Sequence, residues 1–223
     1  MSDTDSFIEE VTEEVRRDRL YALLKRYGWI AVLAILLIVG GAGFNEYRKG
    51  QARAAAERLG DDIMAALAPD AAGDRAAALE EIATDSHGGQ AIVRMLTAAA
   101  QSEAGDRASA VAQLEAVGAD GELPAIYRQI ATFKALTLQM DSLDEPALRQ
   151  GFEALAAPGA PLRLLAEEQL ALLDISAGDA GAAIGRLNAI LQDAEATPDL
   201  QQRAVQVIVA LGGTPQMPGA AQG

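Results

Sequence analysis

Apolar and polar residues follow three rhythms along this chain. From Phe7 to Val15 apolar residues return every four positions (Phe7, Val11, Val15, with Ile8 beside the first), and Glu9, Glu10, Glu13 and Glu14 occupy the other side. That is a helical period. Ser6 with Glu9 three residues on makes a capping box that opens it. Leu20, Leu23 and Leu24 continue the pattern among Arg16, Arg17, Arg19, Lys25 and Arg26. Residues 7–26 are therefore predicted as one amphipathic helix, lying on a membrane surface or against a partner.

The second rhythm is the absence of one. Trp29 to Phe44 reads WIAVLAILLIVGGAGF, 16 residues without a charge or a Pro. Counted from Tyr27 to Tyr47 the stretch is 21 residues. A helix needs roughly 20 to cross a hydrocarbon layer of about 30 Å. Tyr27, Trp29 and Tyr47 suit the two headgroup levels, and a helix satisfies its own backbone in lipid. A cleaved secretory signal is the rival reading, because Gly41-Ala42-Gly43 offers small residues for cleavage. The helical segment ahead of the run does not resemble a short basic leader. An uncleaved transmembrane helix over 29–47 is expected, with Trp29, Leu33, Leu36, Leu37 and Phe44 as membrane-anchor residues. Five basic residues (Arg16, Arg17, Arg19, Lys25, Arg26) precede it, against four after it (Arg48, Lys49, Arg53, Arg58). The positive-inside rule then favours a cytoplasmic segment 1–28 and an exported C-terminal part. Gly40, Gly41, Ala42 and Gly43 would let a second helix approach closely, without a Gly-x-x-x-Gly spacing.

The third rhythm begins after the anchor. Helical pattern runs through Gln51–Leu67 and breaks at Pro69. Ala72-Gly-Asp-Arg-Ala-Ala-Ala then returns as Ala104-Gly-Asp-Arg-Ala-Ser-Ala and as Ala177-Gly-Asp-Ala-Gly-Ala-Ala, with a degenerate Gln139-Met140-Asp141 between the last two. A recurrence of this length marks a repeat architecture. Apolar positions follow each Gly-Asp (Val111, Leu114, Val117; Ile184, Leu187, Ile190, Leu191). Others precede it (Ile92, Met95, Leu96, Ala99; Ile126, Ile130, Phe133, Leu136; Leu162, Leu165, Leu170, Leu173). Glycine accepts the left-handed conformation that ends a helix, and the aspartate beside it can cap the next one. Gly73, Asp74, Gly105, Asp106, Gly178 and Asp179 are accordingly read as repeat turns. Ala110 and Ala183 are small enough to let paired helices approach. Pro124, Pro158 and Pro198 stand near repeat ends. Residues 48–211 thus read as antiparallel helix pairs, and the Pro/Gly-rich 212–223 as a disordered tail. The fold class is all-α: an amphipathic helix, one transmembrane helix, then an α-solenoid of degenerate helix hairpins.

Charge and missing chemistry narrow the function. The whole formal charge of −14 falls on residues 54–223, where ten Lys and Arg meet 24 Asp and Glu. Such a surface repels phosphate backbones, which argues against nucleic acid. There is no Cys and one His, His87, in Ser-His-Gly-Gly, which reads as a loop residue. No metal site follows, and no Ser-His-Asp set among Ser102, Ser109, Ser142 or Ser176. Asp61-Asp62, Glu80-Glu81 and Glu167-Glu168 are adjacent pairs, and adjacent helical positions do not face each other. Gly88-Gly89 lacks the strand that a phosphate-binding turn needs. No catalytic residue, cofactor or small-molecule substrate is expected. Tyr127, Gln129 and Lys134 fall on a first helix of a pair and are candidates to reach a groove.

The spacing of roughly 34 residues with Gly-Asp turns and Ala at the hairpin resembles tetratricopeptide repeats. Glu13–Gly28, EEVRRDRLYALLKRYG, followed by one apolar span, resembles a narrower group. This is the bacterial single-pass tetratricopeptide-like family that includes the ancillary subunit of the SecYEG translocon. The resemblance implies an inner-membrane protein whose soluble domain faces the periplasm. It implies partners among membrane lipid, the translocon, periplasmic chaperones and emerging polypeptides. A structural or assembly subunit of another inner-membrane complex, such as a respiratory one, is the alternative.

Overall fold

The computed structural model describes residues 3–217, with side chains from Lys25 onward except those of 27, 28, 31, 32, 34 and 35. Among the described residues the chain is wholly helical: α1 Asp3–Ala66, α2 Ala72–Glu80, α3 His87–Glu103, α4 Arg107–Gly118, α5 Ala125–Leu138, α6 Glu145–Leu155, α7 Arg163–Ser176, α8 Ala180–Gln192 and α9 Pro198–Ala210. The chain divides into two units, Met1–Arg58 and Leu59–Gly223.

In the first unit every described residue from Trp29 to Gly50 is exposed. Of the expected anchor residues, Leu36 is 63% and Leu37 69% exposed, and Trp29, Leu33 and Phe44 are exposed too. Among the described residues no helix is long and apolar enough to cross a membrane. Ala31, Val32, Ala34 and Ile35 of the expected span lie outside the described side chains, as does the stripe Phe7, Ile8, Val11 and Val15.

The second unit is built from four core clusters in succession. Ala66, Ala76, Leu79 and Ala100 join the end of α1 to α2 and α3. Ala91, Ala98, Ala110, Leu114 and Ala131 join α3, α4 and α5. Leu136, Leu148, Phe152, Ala166 and Leu170 join α5, α6 and α7. Ala171, Ala183, Leu187, Leu200 and Ile208 join α7, α8 and α9. Each cluster is shared by helices that follow one another in sequence, the quasi-linear arrangement of a repeat stack.

This arrangement changes which residues are inside. Of the apolar positions on α3 and α5, Leu136 is buried, whereas Ile92 is 41% and Ile126 37% exposed. α3 gives Ala100 to one cluster and Ala91 and Ala98 to the next, and α5 likewise serves two. A helix with a neighbour on each side is crowded, so its buried positions go to small side chains, and larger ones are displaced to the open face. Ala110 and Ala183, expected at close approaches, are both fully buried.

The turns show why the copies differ. After α3, Gly105 has φ +87°. Its N–H donates to Ser102 O at 3.1 Å and the Asp106 N–H to Gln101 O at 2.8 Å. After α7, Gly178 has φ +82°, with the same pair of bonds to Ile175 O and Asp174 O. Both are Schellman motifs. Asp106 and Asp179 then accept the N–H of Ser109 and Ala182, capping α4 and α8. The middle copy has Met140, which cannot cheaply take positive φ. The chain instead runs a longer turn, and the cap moves from Asp141 to Asp144, which accepts the Ala147 N–H at 3.2 Å. The first copy also departs from expectation. Gly73 and Asp74 lie in the first turn of α2 rather than between helices, because Pro69 ends the preceding helix earlier. His87 opens α3 rather than sitting in a loop, with Ser86 as cap.

Without a glycine turn, the α5–α6 pair is held by side chains. Phe133 meets Phe152 edge to face at 5.8 Å, and Leu136 packs on Gly151, where a Cβ would come within 2.7 Å of it. Phe152 is fully buried. Phe152→Ala is therefore expected to cost about 3–5 kcal/mol, read as a lowered urea midpoint by circular dichroism. The exposed Ile126→Ala should move it by less than about 0.5 kcal/mol.

Candidate functional site

Displacing larger side chains to the open face leaves an apolar groove between α3 and α5. Met95, Ala98 and Ala99 line it from α3, Leu114 from α4, and Phe133 and Leu138 from α5, around about 480 Å³. Ser102, Glu103, Lys134 and Thr137 supply its polar groups. Glu103 is held by Arg75 at 2.6 Å, so its carboxylate is fixed, while Lys134 on the facing helix is exposed. Apolar surface with a few polar groups around it is a setting for burying a partner's side chains. Of the three residues proposed from sequence, Lys134 lines the groove. Tyr127 does not, and Gln129 is half-buried, its Oε1 enclosed without a hydrogen-bond partner. Met95 and Phe133 carry the apolar period of their helices and pack against the core clusters. Only the two-sided packing of α3 and α5 shows that they are half out of the core.

A second cavity of about 420 Å³ lies among α2, α3 and α4 and is polar, with Glu80, Thr84, Asp85, Gln90 and Arg94 on its walls. Glu80 accepts from Gln101 Nε2 at 2.7 Å and Arg94 donates to Gln113 at 3.2 Å. These groups hold each other and present no nucleophile beside a base. Among the described residues no group of His, Asp and Glu is arranged to hold a metal ion. His87 Nδ1 lies 3.3 Å from Asp120 Oδ2 and ties α3 to the α4–α5 link.

The electrostatics of α6–α9 centre on Asp174, which is 4% exposed. Arg149 from α6 and Arg186 from α8 donate to its two oxygens at 2.7 and 2.8 Å. Arg149 also reaches Glu145 at 2.7 Å, and Arg186 reaches Glu167 at 2.8 Å. Arg203 on α9 holds Glu168 at 2.7 Å, and Arg163 holds Asp193 and Glu195. Burial works against the charge of Asp174, yet the hydrogen bonds from Arg149 and Arg186 outweigh it and hold the carboxyl below its ordinary range. Asp106 is also lowered, by its cap bonds to Ser109. This network ties α6, α7, α8 and α9 together.

Because the folded value of Asp174 lies below the unfolded one, its contribution is full above about pH 4 and is lost as pH falls through the lowered value. Asp174→Asn should cost about 3 kcal/mol at neutral pH, since the half-buried guanidinium groups of Arg149 and Arg186 lose the buried anion they share. It should also flatten the fall of melting temperature between about pH 5 and 3. A variant whose melting temperature falls on acidification as steeply as the parent's would contradict this account.

A family description, tetratricopeptide repeat-like domain, matches residues 24–158, more than half of the chain. No curated protein and no solved structure matches it.

Proposed function

The chain belongs to the tetratricopeptide repeat-like domain family, and from that premise we propose that it is a membrane-tethered adaptor acting by protein–protein contact. Helical repeats of this kind are typically non-enzymatic interaction modules, and stacked pairs present extended binding surfaces. The observation that carries the tether is the uncharged run Trp29–Phe44 on α1, whose described side chains are all exposed. Exposed apolar surface of this size needs lipid or a partner. We read it as the transmembrane helix of a single-pass protein of the bacterial inner membrane, with residues 1–28 cytoplasmic and the repeat domain periplasmic. In this reading the domain stands beside the Sec translocon and meets emerging polypeptides or chaperones through the α3–α5 groove. The family match supports interaction in general. The translocon reading rests on the likeness of the Glu13–Gly28 block and its single apolar span.

A charge at the centre of a membrane helix costs about 3 kcal/mol. Leu36→Glu with Leu37→Glu should therefore shift the protein from the carbonate-resistant membrane fraction to the soluble fraction. Retention of the doubly charged variant would remove the transmembrane reading. The partner is tested by gentle detergent extraction of the tagged chain and mass spectrometry of what accompanies it. The translocon should dominate; a stoichiometric respiratory or other complex in its place would select the assembly-subunit alternative. Ala99→Arg sits on an exposed wall of the groove. It should reduce that capture severalfold while leaving stability within about 0.5 kcal/mol.

A further inference from the structure

The helix α9 ends as α3 and α7 do. Gly212 has φ +76°. Its N–H donates to Val209 O at 3.0 Å and that of Gly213 to Ile208 O at 2.9 Å, a third Schellman turn. After Gly105 and Gly178 the same turn leads into a second helix, α4 or α8. After Gly212 no helix follows among the described residues. Residues 213–217 are non-helical, and Gly213 and Gln216 contact α8.

The seat is specific. Ile184, Asn188 and Gln192 are spaced four apart and so form one stripe along α8. Gly213 lies against Ile184 and Ile208 so closely that a Cβ there would come within 2.8 Å and 3.1 Å of them. Three residues on, the Gln216 N–H donates to Asn188 Oδ1 at 2.8 Å, and Gln192 Nε2 donates to Gln216 Oε1 at 3.1 Å. Asn188 is 7% exposed, and its side-chain acceptor is spent on a backbone N–H of the segment. Between these contacts Pro215 favours an extended path and has no N–H to satisfy. The stripe thus reads an extended backbone: a residue without a side chain over Ile184 and Ile208, then an N–H three positions later, then an amide.

We propose that the α8 stripe is a binding site for an extended peptide segment, with the chain's own residues Gly213–Met217 as its resident occupant. The segment is a latch that follows α9 where a helix follows α3 and α7, and it lies over α8. It is separate from the α3–α5 groove and does not depend on the identity of the partner there.

Amide hydrogen exchange on the full chain in detergent tests the latch. The Gln216 amide should be protected, and Asn188→Ala should speed its exchange by about tenfold, the loss of one hydrogen bond to a buried acceptor. Gly213→Val should do the same by steric displacement, with amides of α7 unchanged in both variants. An unprotected Gln216 amide, or a rate unmoved by both substitutions, overturns the proposal. As a second arm, a chain ending at Leu211 should bind the synthetic peptide Gly-Gly-Thr-Pro-Gln-Met saturably, and Asn188→Ala should abolish that binding. A truncated chain that retains its helical signal yet does not bind the peptide also overturns it. If truncation unfolds the chain, the exchange result on the full chain decides.

Discussion

Each helix of the repeat domain can bury its apolar surface only against the helices that precede and follow it in sequence, and every other feature answers to that constraint. A helix with a partner on two sides has little room at either contact. Alanine therefore fills those contacts, at Ala91, Ala98 and Ala131 in one cluster and at Ala171, Ala183 and Ala204 in another. Larger side chains such as Met95 and Phe133 are left partly outside, and they become walls of the α3–α5 groove. The groove is thus a by-product of how the helices pack.

The same constraint bears on α9, which packs on α8 and has no following helix among the described residues. At the C-terminal end the chain covers α9 and α8 with a non-helical strap, fixed by Asn188 and by the lack of a side chain at Gly213. Charge adds register where small side chains alone would let helices slide. Asp174 is shared by Arg149 and Arg186, so α6, α7 and α8 meet at one buried anion. The domain's net negative charge is consistent with this design, since most of its arginines are spent on internal partners and the surplus acid faces water.

The uncharged run in α1 and the repeat domain impose complementary requirements. One needs an apolar surrounding, and the other carries the chain's excess acid on its solvated surface. In the function proposed above, tethering would satisfy both requirements.

Periodicity and turn chemistry were legible from residue order alone, because they depend on contacts only a few positions apart. Helix after helix could be read from the apolar spacing. The turns at Gly105-Asp106 and Gly178-Asp179 could be read because a left-handed position and a cap are local demands. The apolar run was legible for the same reason. Residue order did not show what depends on neighbours distant in the chain. It showed Ile92 and Ile126 in the apolar period but not that crowding from two sides puts alanines inside and leaves the two isoleucines exposed. It showed the middle copy, Gln139-Met140-Asp141, only as degenerate; the lack of glycine at Met140 goes with a longer turn and a cap at Asp144. Residue order also carried no sign of the bond from the Gln216 N–H to Asn188 on α8, since that bond joins positions far apart in the chain. Local hydrogen bonding decides which segments coil, but only the packing of helix on helix decides which of their faces are closed.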